Sequence, residues 1–599
     1  MPGIVGFISK NILPDTHPCL SEVAGKVASS WCLEGQYQQL IKTTAGIAHH
    51  HFNNQNLSVD IWGDVYSING TDCQQDDVAE LVANQYLIGN LSELCSQLNG
   101  YFTFVIFDKQ AQKVTLATDR FGIKPLYLWA DNYVAKGFAS EPKALALHPD
   151  YVQHIDLAAL KTFVDVGHML GEQTLFSNIK RLAPASITSI DITSLEYDTV
   201  RYWSWGDIKT NNAMTFDEAT AHAYTLFDSA VERCIKTVKQ PTLAITLSGG
   251  LDSRVLLAAA KQHFKGTIKT YTFGEAGCDD AVLAEQVAQL AGVSNQLVSI
   301  DEHNWFDGRE HGVWLTDGLK NMLHMHALSS VSNIAADSNY LLNGYLGDVT
   351  FGGSYLFDQD KASLSQSQRI AERYFEHLPN ANITDAYFEH TNDDPILIYN
   401  RGVRFIGAGS DLLSHELHNF KPFMDNDLVA FLYSLPDEYR RNGKLYHAML
   451  LRYYPDYFKT IAWQQTGKPI SLQSTHVEPV NNPLKQRLVG LIKGSVFERL
   501  ARKLYRRITP KRHYVAYDTW LREAKFKRYV ENTLCDSNSD VKKLLGDEYI
   551  DNVVTRFFAM DDAIKPEKIG SLLTVELYLK RLRNASNSSE YGKHGIILR

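Results

Sequence analysis

The stretch Leu243-Ala244-Ile245-Thr246-Leu247-Ser248-Gly249-Gly250-Leu251-Asp252-Ser253 reads as an apolar strand, a glycine turn and the start of a helix that continues to His263. Paired glycines let a backbone pass close to an anion without a Cβ in the way. The helix that follows presents unpaired N–H groups and the positive end of its dipole to phosphate. Ser248 and Ser253 add hydroxyl donors, and Asp252 is placed to hold a Mg²⁺ that bridges phosphates. The spacing GxxxxGK[ST] is absent, so this is not a Walker loop. The competing reading, a glycine turn without a ligand, suits a bare GG pair better than the full SGGLDS after an apolar strand.

Around this loop strands and helices alternate. Thr267 to Phe273 reads as a second strand, Asp280 to Ala291 as a helix, and Leu341-Leu342 as the end of a further buried strand. Such alternation predicts a parallel, doubly wound sheet over 215–480. Residues 1–205 instead show short strands separated by polar turns, such as Tyr101 to Phe107, the turn Asp108 to Gln112 and Lys113 to Ala117. They predict a layered sheet domain with few helices. Beyond about 480 the chain turns helical and basic, with Lys485, Arg487, Lys493, Arg499, Arg502, Lys503, Arg506, Arg507, Lys511 and Arg512 in one region. Charge-rich helices are usually solvated faces; a surface for a peptide or anionic polymer is the sharper alternative.

The 599 residues carry a net charge of -9, which argues against a protein built to coat nucleic acid. No apolar run approaches the ~20 residues of a membrane span. Seven cysteines without CxxC spacing fit reduced thiols, so the expected location is the cytoplasm.

The loop resembles the PP-loop of N-type ATP pyrophosphatases, and further motifs resemble the asparagine synthetase superfamily. Thr272-Phe273-Gly274 ends the second strand, where the family's backbone reads adenine, and Asp280 with Ala284 forms an Asp-x-x-x-Ala helix start. Asn343-Gly344-Tyr345-Leu346-Gly347-Asp348-Val349-Thr350-Phe351-Gly352-Gly353 has the length of the family's SGEGSDEVFGG. Gly443-Lys444 resembles its glycine-lysine pair. The resemblance implies that Leu247, Ser248, Gly249, Gly250, Asp252, Ser253, Phe273 and Gly344 contact ATP. It implies that Asp252 and Asp348 hold Mg²⁺ and that Lys444 neutralises the leaving pyrophosphate.

The first half resembles the family's glutaminase, an Ntn-hydrolase-like αββα sandwich. Asp119-Arg120-Phe121-Gly122-Ile123-Lys124-Pro125-Leu126-Tyr127 and Phe138-Ala139-Ser140-Glu141-Pro142-Lys143-Ala144-Leu145 carry that likeness. Met1-Pro2-Gly3-Ile4-Val5-Gly6 matches MCGIVG except at the nucleophile, where Pro2 has no thiol. The glutamine-binding arginine falls at His51, Asn-Gly-Glu becomes Trp62-Gly63-Asp64, and an aspartate becomes Asn99. A degenerate site follows, and neither Cys19 nor Cys32 is terminal to replace the lost thiol. His49 and His51 share a strand face, but no carboxylate or cysteine cluster nearby completes a metal site, and a dismantled glutamine pocket is the preferred account. His324-Met325-His326 reads as part of a helix.

Tyr345 replaces a family glutamate, as a tyrosine does in the similar β-lactam and carbapenam synthetases. The analogy makes Tyr345 a candidate general base, its pKa lowered by Lys444, with Glu372, Glu376 or Glu416 as partner. A plain wall of the pocket is the alternative. Val349 replaces a second family glutamate. Lasso-peptide cyclases are another relative with an inactive first half.

The implied function is an AMP-forming ligase that adenylates a small-molecule or peptide carboxylate with ATP and Mg²⁺ and passes the acyl group to an amine without hydrolysing glutamine. The alternatives are an asparagine synthetase, ammonia-using or glutamine-hydrolysing, and a non-catalytic scaffold. Leu572 to Leu579 resembles the family's final helix, which implies that the last segment, 481–599, packs on the synthetase core.

Overall fold

The computed structural model describes residues 3–9, 13–14, 17–22, 26–33, 36–43, 49–73, 77–357, 363–365, 368–370, 385–471 and 514–587. Pro2, Glu372, Glu376 and the basic stretch from Lys485 to Arg512 lie outside the described residues, as does the Cys32 side chain.

The first part of the chain builds two antiparallel sheets. One has six strands, in the order Ile179–Arg181, Tyr127–Asp131, Val134–Ala139, Ile4–Phe7, Tyr37–Thr43 and Lys26–Leu33. The other runs Tyr197–Arg201, Ser186–Asp191, Lys113–Thr118, Leu98–Asp108, Leu57–Ile68 and His49–Asn53, with Thr71–Asp72 added beside Leu57–Ile68. Alternating apolar residues put Ile4, Ile41, Trp62, Val105, Phe107 and Phe138 into one core between the sheets. Helices Val78–Leu87 and Leu91–Gln97 cover the outer face of the second sheet, and Pro142–Ala146 and Leu157–Val166 that of the first. The result is an αββα sandwich, with more helix than the turn-rich sequence predicts.

Helix Phe216–Lys236, opened by a Thr215/Glu218 capping box, leads into the second unit. Five strands, all parallel, lie in the order Ser294–Ser299, Thr267–Gly274, Thr242–Thr246, Tyr340–Leu342 and His418–Phe420. In chain order this is 3-2-1-4-5. The winding reverses between Thr242–Thr246 and Tyr340–Leu342, and in such sheets the ligand crevice opens at the carboxyl ends of the strands at that reversal. The loops leaving those two strands are Leu247–Ser253 and Asn343–Gly347.

The last helices include Ala524–Leu534, Asp547–Phe558 and the long Pro566–Asn587. The long helix packs on Arg309–Leu315 of the synthetase unit and also on Leu157–Val166 of the sandwich. Lys568 pairs with Asp165 at 3.1 Å, and Tyr578 lies against Phe176 and Trp314. The end of the chain therefore closes a core shared by both halves rather than one built on the synthetase unit alone. His324 and His326 sit in the 3₁₀ turns Met322–His324 and His326–Ser330, not in an α-helix. No helix of the described residues is long and apolar enough to cross a membrane.

Candidate active site

The glycine loop is braced on every side but one. The Leu247 N–H donates to the Tyr271 carbonyl at 2.8 Å, and the Leu247 carbonyl accepts from Thr272 Oγ1 at 2.9 Å. Ser248 N–H donates to Ser253 Oγ at 3.0 Å, which draws the loop back onto the first turn of helix Asp252–His263. Gly249 N–H donates to Asp280 Oδ1 at 2.9 Å, so the Asp-x-x-x-Ala aspartate positions the loop. Arg254, fully buried, donates to the carbonyls of Gly249 at 3.1 Å, Ile461 at 3.1 Å and Ala462 at 2.8 Å. The two glycines differ in what they do. A Cβ on Gly249 would lie 2.8 Å from Gln464 Cβ and 2.9 Å from Leu283 Cδ1, whereas one on Gly250 would meet only Ser248 Oγ, at 3.3 Å. Gly249 serves packing, and Gly250 leaves the open side.

The Asn343–Gly347 loop is pressed against Asp252. A Cβ on Gly347 would come 2.6 Å from Asp252 Cγ, and one on Gly344 would come 3.0 Å from Ser253 N. That close approach places Asp348 on the same carboxylate: its N–H donates to Asp252 Oδ2 at 2.9 Å, and its side chain is exposed to the cleft. Tyr446 donates its hydroxyl to Asp252 Oδ1 at 2.9 Å. Burial, and then the charge of Asp348, push the Asp252 carboxyl up to about 8. Two carboxylates crowded at a phosphate-loop mouth, in a cradle that a Cβ would fill, fit the oxygen ligation that Mg²⁺ takes.

Lys444 is the first residue of helix Lys444–Tyr453, behind Gly443 at φ +70°, and its side chain is exposed. The same helix carries Tyr446, so Lys444 stands one half-turn from the group that touches Asp252. Phe273 lies near the end of strand Thr267–Gly274, its ring 5.2 Å from that of His326. At the next residue Tyr514 closes over the strand end, where Glu275 N–H donates to the Tyr514 carbonyl at 2.8 Å.

Tyr345 does not meet the expectation of an activated base. Its phenol is buried and donates to the Gly402 carbonyl at 2.9 Å, within the π-helix Ile398–Gly407. The cation over its ring is Lys421, at 5.0 Å, not Lys444. Burial, with the Asp411 carboxylate, raises its pKa well above the ordinary tyrosine value, opposite to the direction a base needs. Glu416 is exposed, whereas this phenol is buried. Val349 is buried in the core.

Sequence reading passed over Tyr446, Arg254 and Lys320. Lys320 donates to the Phe405 carbonyl at 2.6 Å and lies 3.8 Å from the Phe405 ring. Burial and the Arg401 charge push its ammonium down to about 7. Tyr446 and Lys320 stand in no recognisable motif and acquire their partners through tertiary contact, whereas Arg254 directly follows Ser248–Ser253 and reaches both the loop's own Gly249 carbonyl and the distant Ile461 and Ala462 carbonyls.

The positions expected to match the family's glutamine contacts make other contacts here. Trp62 is fully buried, with Lys124 Nζ 4.7 Å from its ring. Asp64 accepts from His418 Nε2 at 2.6 Å, tying the sandwich to the edge strand of the parallel sheet. Burial works to raise the Asp64 pKa, but the charge and hydrogen bond of His418 hold it below the usual carboxylate range. Asn99 Nδ2 donates to Asp425 and Asp427, each at 3.0 Å, and its carbonyl accepts from Asn426 N–H at 3.0 Å. An aspartate there would face two carboxylates; the amide bonds both. Cys19 is buried and its thiol pKa is raised by that burial, which suits a packed side chain rather than a replacement nucleophile.

The histidine run needs a correction. Antiparallel pairing sets His51 opposite Asp60, and His49 and His51 both reach that carboxylate. A carboxylate does complete the cluster, supplied across the ladder rather than along the chain.

Residues 64–203 match the glutamine amidotransferase domain family and residues 222–397 the asparagine synthase family, together just over half of the chain. The chain belongs to the asparagine synthetase superfamily. It is 29% identical to asparagine synthetase [glutamine-hydrolyzing] 3 of Bacillus subtilis (strain 168), over 43% of this chain and 44% of that protein. It is 23% identical to asparagine synthetase [glutamine-hydrolyzing] of Gallus gallus, over 61% of each. The matches thus span about half the length of these curated relatives. Among solved structures, the glutamine phosphoribosylpyrophosphate amidotransferase of B. subtilis is 14% identical, with TM-score 0.22, over 49% of this chain and 65% of that one. An NH3-dependent NAD synthetase from Campylobacter jejuni is 15% identical, with TM-score 0.17, over 28% and 76%.

Proposed function

We propose that the protein is an ATP-dependent, AMP-forming amide ligase that works without hydrolysing glutamine. The observation that carries this reading is the pair Asp252 and Asp348, joined at 2.9 Å through the Asp348 N–H, at the mouth of the Ser248–Ser253 loop and at the reversal of the parallel sheet. In this reading a substrate carboxylate oxygen attacks the α-phosphorus of ATP. The bond to the β-phosphate oxygen breaks, and pyrophosphate leaves against the open side of Gly250 and the Lys444 ammonium. An amine then attacks the acyl carbon, AMP departs, and the amine proton passes to solvent or a base.

Asp252 and Asp348 would hold Mg²⁺, which supplies neutralisation of phosphate charge. Ser248, Gly249, Ser253 and Gly344 shape the phosphate site, and Leu247, just past its strand, and Phe273, near the end of its own, would lie beneath the nucleotide. Tyr446 and Asp280 position the machinery: one orients Asp252, the other the loop. Tyr345 supports the pocket through Gly402 and is not assigned proton transfer.

Independence from glutamine is supported by Pro2 at the nucleophile position, by Trp62 filling the pocket, and by Asp64 and Asn99 being engaged with the synthetase unit. The test is ATP–pyrophosphate exchange with full-length protein across a panel of carboxylates, including aspartate and short peptides. Exchange with one carboxylate, and amide formation with an added amine but not with glutamine, is the expected result. Glutamate release from glutamine would overturn the glutamine-independent part. No exchange and no ATP binding would leave a scaffold.

A further inference from the structure

We propose that His49, His51 and Asp60 form a second metal site, selective for a divalent transition metal such as Zn²⁺, on the sandwich domain. Strand His49–Asn53 pairs antiparallel with Leu57–Ile68, with His49 opposite Trp62 and His51 opposite Asp60. Side chains two apart on a strand share a face, so both imidazoles stand on the side where Asp60 projects. They converge on a single atom: His49 Nε2 and His51 Nδ1 are each 2.9 Å from Asp60 Oδ1. Neighbouring ligands around a tetrahedral metal with bonds of about 2.1 Å stand about 3.4 Å apart, so each imidazole has to draw back from the carboxylate oxygen by about half an ångström to admit a cation. All three ligand atoms lie within 4.8 Å of one another.

The carboxylate is held from behind. Gln39 Nε2 donates to Asp60 Oδ2 at 2.8 Å, and Gln39 Oε1 accepts from the Tyr37 hydroxyl at 2.5 Å. Asp60, Gln39 and Tyr37 are all buried, which fixes the carboxylate while its other oxygen faces the imidazoles. Such outer partners orient metal ligands and raise their affinity. The His51 side chain, 34% exposed, leaves solvent access for the remaining ligands.

Two imidazoles and one carboxylate suit Zn²⁺, Co²⁺ or Ni²⁺, whereas the all-oxygen pair Asp252 and Asp348 suits Mg²⁺. The two sites therefore differ in chemistry as well as in place. On binding, the ring nitrogens now donating to Asp60 give up their protons, one to the other nitrogen of a neutral ring or to solvent from a charged one.

The experiment uses full-length protein stripped with chelator and kept in excess Mg²⁺, which occupies the carboxylate pair. Titration with ZnCl₂ by calorimetry, and with Co²⁺ by visible absorption, reads the histidine site alone. One equivalent of Zn²⁺ per chain is expected. It should survive Asp252→Asn, disappear in the His49→Ala/His51→Ala double variant, and weaken about 10–100-fold in Gln39→Leu. No saturable zinc binding by the unaltered protein would overturn the site, and so would undiminished binding in the double variant. The half-exposed His51 also permits His51→Gln, which keeps the strand; unchanged zinc affinity in that folded variant would be equally fatal.

Discussion

Two regions of this molecule, the carboxyl end of the parallel sheet and the sandwich face turned toward it, differ in what their polar side chains touch. At the carboxyl end of the parallel sheet, glycines 344 and 347 still hold the backbone against Asp252, and two carboxylates still face a phosphate loop. In the sandwich, the positions matching the family's glutamine contacts are occupied by residues with different partners: Trp62 fills space, Asp64 bonds His418, and Asn99 bonds Asp425 and Asp427. The contrast shows how polar side chains of the sandwich are engaged by the synthetase unit. Buried polar groups need partners, and Asp64 and Asn99 find them across the interface.

The largest effect should come from the intact pocket. Asp348→Asn removes one anionic cation ligand at an exposed position, and ATP–pyrophosphate exchange should fall by roughly 10³-fold, corresponding to several kcal/mol of lost charge stabilisation. Circular dichroism should show an unchanged fold. An exchange rate within threefold of the unaltered protein would break the assignment of this pocket as the adenylating one.

Asn99→Asp acts on the sandwich side of the comparison. It places a third carboxylate beside Asp425 and Asp427 and should cost about 3–5 kcal/mol of stability, read by chemical denaturation. Wild-type stability in that variant would mean that the amide is not what joins the halves there.

Tyr446→Phe sharpens the comparison within the active pocket. Losing one hydrogen bond to Asp252 should lower exchange about tenfold, with weaker Mg²⁺ dependence as the companion readout. Asp252 binds its proton more tightly folded than unfolded. The stability it contributes is therefore complete below the ordinary carboxylate pKa of about 4 and is lost as pH rises toward its folded value of about 8. Melting temperatures of metal-free protein should decline across that window, and added Mg²⁺ should stabilise most at its upper end. Equal stabilisation by Mg²⁺ at pH 5 and pH 8 would count against cation binding at Asp252.

Tyr345→Phe is the smallest perturbation. It removes one bond to the Gly402 carbonyl, costing about 1 kcal/mol, and exchange and amide formation should stay within threefold. A hundredfold loss of amide formation alone would restore the phenol as a base.

Local signals carried much of the synthetase unit. The predicted strand Leu243–Leu247 is Thr242–Thr246, the predicted helix Asp280–Ala291 is Asp279–Ala291, and the helix from Asp252 to His263 matches. Apolar runs and turn glycines act over a few residues, so they are readable in a single stretch. The environment of Tyr345 was not readable: its hydroxyl partner lies 57 residues away and its ring cation, Lys421, later still. Burial among such distant groups reversed the expected direction of its pKa. The same limit hid Asp60 behind His49 and His51, because a strand register, not a spacing, brings them together.

The sequence by itself determined the order of the parts, the phosphate loop, the two candidate cation carboxylates and the absence of a thiol at Pro2, since each depends on residue type and short spacing. Only the tertiary structure decided which carboxylate each histidine meets, that Tyr446 and not Tyr345 touches Asp252, and that Asn99 and Asp64 bind the synthetase unit. The reason is physical: hydrogen bonds, desolvation and charge coupling depend on distances of a few ångströms, which folding creates between residues from 9 to 354 positions apart.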